Sequence, residues 1–199
     1  RVVAPPTDDA LHVRDYTITY RTNAVDPKTS LVNVSVMNAS SRVRLTGVIV
    51  ESDGRQLWQR TVTPTELAFD GTRRFRVGGV GWARTIAAQR RGWSVVGNDT
   101  VFQVWLRPAG GDARRVYASS PSTASPVVAG RNVTVLTRNG DFALRVSREN
   151  RTLGTVSMPE ENTTARAGGV LFRRPPNSSD LVARVGDTRV TVASNESYE

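Results

Sequence analysis

The feature that most constrains this chain is a two-residue alternation repeated along most of its length. In "YTITY", Tyr16, Ile18 and Tyr20 alternate with Thr17 and Thr19. Side chains on a β-strand point to opposite faces in turn, so such a segment has one face to bury and one to hydrate. In "LVNVSVMN", Val32, Val34 and Val36 fall on one face and Asn33, Ser35 and Met37 on the other. "RNVTVLT" repeats the arrangement, with Asn132 and Thr134 opposite Val133 and Val135.

Turn residues separate these segments at short intervals. "RVRLTGVIV", "SDGR" and "QLWQRTV" read as a strand, a turn and a returning strand. "TPTELAFDG" is the one clear helical signal: Thr63 is placed to cap it, Pro64 to start it, Glu66 to complete a capping box, and Asp70-Gly71 to stop it. "TRRFRVGGVGW" and "TVFQVWLRP" read as strands. Between them "ARTIAAQRRG" favours helix by its residues and sheet by its flanks, and strand is the expectation. Gly, Ser and Pro accumulate from Pro108 to Pro126, which marks a boundary. Beyond it short strands follow one another in hairpins. The expected fold is therefore all-β: a β-sandwich, Ig-like in type, over residues 1–118, a linker over 119–127 and a small antiparallel β-meander over 128–199.

At 199 residues the chain can bury real cores, and with no Cys it must hold them by burial and backbone pairing alone. No apolar run is long enough to cross a bilayer, and "RVVAPPTDDA" is not a signal peptide. The expectation is a mature or excised portion of an exported protein, tethered through a membrane segment outside this chain.

Export is argued from asparagine. Eight of the ten Asn residues open an Asn-x-Ser/Thr triplet with no intervening Pro: Asn33, Asn38, Asn98, Asn132, Asn150, Asn162, Asn177 and Asn195; only Asn23 and Asn139 do not. Ser and Thr make up roughly a fifth of the chain, so about two such triplets are expected by chance. The triplet accepts N-linked glycan only outside the cytoplasm. On a strand its Asn and Ser/Thr share a face, which in both alternating segments is the polar one.

The net charge is +9, from 26 Arg and a single Lys28 against 18 acids. Such a balance invites a polyanion, and the doublets Arg73-Arg74, Arg90-Arg91, Arg114-Arg115 and Arg173-Arg174 are the candidate residues for holding one. The remaining arginines are dispersed, with no dense run interleaved with aromatics. Nucleic acid is therefore a poor expectation, and an acidic glycan a better one.

Little points to catalysis. The lone His12 is the only candidate proton carrier for a serine-type relay, and no "GxSxG" presents a nucleophile. Zinc and iron–sulfur sites need clustered Cys or His. The acid pairs Asp8-Asp9 and Glu160-Glu161 lack the spacing of a calcium loop, so neither metal nor cofactor is expected. "VGGVGW" lacks the ending of a phosphate loop and reads as a bulge or tight bend. Trp58, Trp82, Trp93 and Trp105 could stack on sugars, but are expected to fill a sandwich core, Trp105 above all.

At "VRDYTITY", "FRVGGVGW", "RGWSVVGNDTVFQVWL" and "GGVLF…DLVARVGDTRVTVASNESYE" the chain resembles the β-rich extracytoplasmic region of halophilic-archaeal membrane proteins. The likeness implies a domain attached to a rhomboid-like or other polytopic membrane segment. A rhomboid-type protease keeps its serine and histidine in membrane helices. This chain has neither such helices nor "GxSG", so no catalytic residue carries over. Scarce Lys fits the resemblance; a basic net charge departs from it.

The function expected first is a non-catalytic, N-glycosylated domain of a cell-surface or envelope protein, acting in presentation, binding or assembly with other surface or membrane proteins. A polyanion- or glycan-binding module ranks second. A hydrolase working with carboxylates alone ranks third.

Overall fold

Alternation of this kind leaves few choices, and the chain is all-β. The computed structural model describes residues 9–26, 44–97 and 99–198. The "LVNVSVMN" segment, with Asn33 and Asn38, lies outside the described residues, as does Asn98. The described residues form two compact units, one of residues 9–26, 44–90 and 104–117 and one of 91–97, 99–103 and 118–198. The crossing near 118 falls where turn residues accumulate, but residues 91–103 belong with the second unit rather than the first. Nor is 119–127 a free linker. Ser119 and Phe102 exchange hydrogen bonds, the Phe102 N–H donating to Ser119 Oγ and the Ser119 N–H to the Phe102 carbonyl, both at 2.9 Å. The Val135 N–H donates to Ser122 Oγ at 2.9 Å.

The first unit contains an antiparallel sheet ordered β1 (Leu11–Val13), β2 (Tyr16–Val25), β3 (Arg44–Ser52), β4 (Leu57–Val62). The expected hairpin is β3–β4. Ile18, Val48 and Ile49 are fully buried in it, and Thr19 is buried as well, so the alternation at Tyr16–Tyr20 is not clean. Gly47, at φ +142°, lies where a Cβ would collide with the Val62 carbonyl oxygen. The helix α1 (Pro64–Asp70) is capped as its residues dictate: Thr63 Oγ1 accepts from the Glu66 N–H, the Glu66 carboxylate accepts from the Thr63 N–H, and Gly71 closes the end with its N–H on the Leu67 carbonyl. Next, β5 (Thr72–Gly79) and β6 (Trp82–Val95) pair around Val80-Gly81, so "VGGVGW" is a hairpin turn and "ARTIAAQRRG" is strand.

The second unit is an antiparallel meander of hairpins laid out in two sheets. One sheet is ordered β12 (Arg151–Ser157), β11 (Asp141–Arg148), β10 (Arg131–Arg138), β9 (Val127–Val128). The other runs β13 (Thr164–Ala167), β14 (Val170–Arg173), β15 (Asp180–Val185), β16 (Thr188–Asn195), and continues where Ala193 pairs with Val95 of β6. Val133, Val135, Leu144 and Val146 from the first sheet and Phe172, Leu181, Ala183 and Val192 from the second are all fully buried in one cluster. Burying each of the Val, Leu and Phe side chains contributes roughly 1.5–3 kcal/mol, which is what replaces the missing disulfides.

Two expectations are corrected here. Thr134 is buried together with Val133 and Val135, because the segment before β9 covers the face taken as polar: Ser125 Oγ lies 3.4 Å from Thr134 Oγ1. Of the four tryptophans only Trp93 is in a core; Trp105 is half-buried, while Val104 and Leu106 on its flanks point the other way and are fully buried.

Candidate functional site

The sequon asparagines sit where backbone geometry favours Asn. Asn150, Asn162 and Asn177 are exposed turn residues with φ of 61°, 58° and 55°. This left-handed region is costly for most side chains and tolerated by Asn. Asn23 and Asn139, which carry no sequon, have φ of 52° and 51°. The turn conformation thus accounts for an Asn, but not for a Ser or Thr two residues later. Thr152, Thr164 and Ser179 are exposed, as are Asn195 and its Ser197 at the end of β16. Asn132 differs: it is half-buried and its Thr134 is buried.

The arginine doublets do not make basic faces. Consecutive strand residues point to opposite sides, so a doublet on a strand divides its charge between them. On β5, Arg73 is engaged by Glu66 at 3.0 Å and Asp70 at 3.1 Å, and Arg74 is exposed on the other side. Arg90 and Arg91 lie on β6, half-buried and exposed respectively. Arg114 is exposed on β8 (Arg114–Ala118), whereas Arg115 is half-buried. Arg173 is exposed, but Arg174 folds over the Trp93 ring at 5.0 Å and donates to the Pro159 carbonyl at 3.1 Å.

A basic face arises instead from residues far apart in sequence. Across β13–β16, Arg166 stands opposite Leu171, Leu171 opposite Arg184, and Arg184 opposite Arg189. The neighbouring row on the same face is Thr164, Arg173, Val182, Thr191. All four arginines are exposed, and Leu171 and Val182 are half-buried between them. The reverse face carries Phe172 and Ala183 into the core. Among the described residues none of the four arginines has an ion-pair partner. Arg184 Nε donates to the Gly186 carbonyl at 2.7 Å. The two carboxylates that bound β15 lie beyond the rows: Asp180 Oδ1 accepts from Ser194 Oγ at 2.8 Å, and Asp187 sits in the turn. Three of these four residues were not singled out from the sequence, yet a signal existed. Counting outward from the two-residue turns Gly168-Gly169 and Gly186-Asp187 sets Arg166 against Leu171 and Arg184 against Arg189.

Aromatic and cationic groups also meet in the first unit. The Arg14 guanidinium lies 4.2 Å from the Trp82 ring centre, Tyr16 meets Trp82 edge-on at 6.0 Å, and Arg55 lies 5.1 Å from the Tyr16 ring. Arg55 Nε donates to Asp15 Oδ2 at 2.7 Å, and this hydrogen bond holds the Asp15 carboxyl below its ordinary range. A Cβ on Gly79 would fall 2.8 Å from Trp82 Nε1, so glycine lets Trp82 and Arg55 close over the hairpin. With Arg14 over its face, Trp82 is not an open sugar-stacking surface.

Groups that could do chemistry are scattered. The exposed His12 has its Nδ1 3.3 Å from Thr17 Oγ1. The Glu160 carbonyl closes a turn with Thr163, and Glu161 Oε1 accepts from the Asn177 N–H at 3.4 Å. Among the described residues no three His, Cys, Asp or Glu side chains gather as a metal site requires, and no helix is long and apolar enough to cross a membrane. No family model, curated protein or solved structure matches the chain.

Proposed function

We propose that the chain works outside the cytoplasm as a non-catalytic, N-glycosylated β domain of a membrane-tethered cell-surface or envelope protein, in presentation, binding or assembly. The observation that carries the reading is that Asn150, Asn162, Asn177 and Asn195 each expose both the asparagine and the hydroxyl residue two positions on. A glycosylating enzyme must reach both. The resemblance to archaeal extracytoplasmic regions points the same way. Placement supports a role for the glycans as well: Asn150 immediately precedes β12 and Asn162 lies just before β13, the terminal strands of their sheets. Sheet edges invite strand addition from other chains, and a glycan beside a terminal strand discourages it. Exposed loops and faces are then left for partner surfaces.

The test is peptide mass spectrometry on the chain from its native source, with membranes retained. Hexose on the peptides of Asn150, Asn162, Asn177 and Asn195, with lower occupancy at the half-buried Asn132, is expected. Bare asparagines on a chain recovered from the cytoplasmic fraction would remove the reading. A second reading, polyanion binding, is favoured by the four arginines that share one face of β13–β16.

A further inference from the structure

An open sheet face usually mixes charges of both signs, because like charges directly opposite each other destabilise a sheet. The two rows described on the outer face of β13–β16 carry positive charge alone; the one carboxylate of β15, Asp180, lies in the next row and accepts from Ser194. Arg184 and Arg189 are opposed, Arg166 lies one strand beyond Leu171, and Arg173 lies diagonally across from Arg184. With strands about 4.8 Å apart, this places guanidinium stems at intervals of about 5 and 10 Å across the sheet. Among the described residues no carboxylate forms an ion pair with any of them. A bound polyanion would relieve the repulsion between them, and the Arg fork suits carboxylate or sulfate groups, which it can grip with two parallel hydrogen bonds.

We infer that this face binds an acidic polysaccharide lying across the strands, with Arg166, Arg173, Arg184 and Arg189 holding its acid groups and Leu171 and Val182 receiving the apolar faces of its sugar rings. The inference rests on the second reading above and is independent of the first. Three features favour a polysaccharide over nucleic acid. The eight residues of the two rows include no aromatic side chain on which a base could stack. The face is a four-stranded antiparallel surface, with no helix among the described residues of these strands to enter a major groove. Between the charges lie aliphatic and hydroxyl side chains, Leu171, Val182, Thr164 and Thr191, which suit a ligand that alternates apolar and hydroxylated surface.

The experiment uses the whole chain and immobilised polygalacturonate and heparin as probes, with a neutral dextran and single- and double-stranded DNA alongside, over a series of salt concentrations. Wild type is expected to bind an acidic polysaccharide more tightly than dextran or DNA, and to lose affinity as salt rises. The variant R166Q/R173Q/R184Q/R189Q is expected to lose at least tenfold in affinity without a fall in melting temperature. The single variant R184E should lose most of the binding too. A charge-matched control, R44Q/R60Q/R148Q/R151Q, removes four exposed arginines elsewhere and should change affinity by about twofold or less. If the face variant binds like wild type, or the control loses as much, the site is elsewhere and only the second reading survives. If wild type binds no polyanion, both fall. Tighter binding to DNA than to either polysaccharide would overturn the assignment of ligand class.

Discussion

Arg184 and Arg189 stand directly opposite each other on β15 and β16, both exposed and neither in an ion pair among the described residues. Like charges so placed cost a sheet stability, and an opposite pair contributes roughly 0.2–1 kcal/mol. Arg189→Glu is therefore expected to raise the urea midpoint by an amount on that scale. The gain should shrink with added salt, since exposed charges are screened. An unfolding series at low and high ionic strength checks it, and a loss of stability would mean that Arg189 supports the sheet in some other way.

At the start of α1, Thr63 and Glu66 satisfy one another's backbone N–H groups. Thr63→Ala should cost about 1 kcal/mol, the usual loss for a helix N-cap. Thr63→Ser should restore most of it. Thermal melts of the two variants distinguish a lost cap from a lost methyl contact.

Asp99 holds the segment before β9 in place. Its Oδ2 accepts from the N–H groups of Thr123 and Ala124 and from Thr123 Oγ1, and its Oδ1 from the Thr100 N–H. Hydrogen bonding from the Ala124 backbone, together with that from Thr123, lowers its pKa. A carboxyl whose folded pKa is depressed contributes stability above its unfolded value of about 3.9, and the contribution is lost as pH falls through the folded value. Wild type should therefore lose more stability than Asp99→Asn between neutral pH and about pH 3. Equal acid sensitivity in the two proteins would show that the network does not depend on the charge.

The hydroxyl of the buried Tyr16 donates to the Gly78 carbonyl at 2.5 Å. Tyr16→Phe keeps the ring against Trp82 and leaves that carbonyl without its donor. The expected cost is about 1 kcal/mol, with hydrogen exchange accelerated in the β5–β6 hairpin ahead of β10–β11. Uniform acceleration across both units would contradict a local effect.

In the second unit, Phe172 is fully buried among side chains of both sheets. Phe172→Ala should cost about 3–5 kcal/mol through lost burial and the cavity left behind. Denaturant unfolding measures it directly. A loss below about 1 kcal/mol would mean that the two sheets close over the gap.

Much of the local structure was legible because it is encoded locally. The cap of α1 is written in Thr63, Pro64, Glu66 and Gly71, all within nine residues. The β3–β4 hairpin follows from alternation around a polar turn. Alternation misled where a strand is covered on both sides. Thr134 looks polar and solvated by its period, yet the segment before β9 lies over it. Trp105 looks like core by size, but its position in the period of β7 (Asp99–Pro108) gives the core to Val104 and Leu106 instead.

By itself, the sequence determined that this chain is all-β, cysteine-free and built from hairpins, because strand period and turn chemistry act over two to ten residues. It also supplied the eight sequons. Only the tertiary structure decided which of them expose both residues, and which arginines share a face. Arg173 and Arg174 are neighbours in the chain and part company in space, while Arg166, Arg173, Arg184 and Arg189 come together across four strands. The physical reason is register: a strand sends adjacent residues to opposite faces, and hydrogen-bonded pairing brings distant ones side by side.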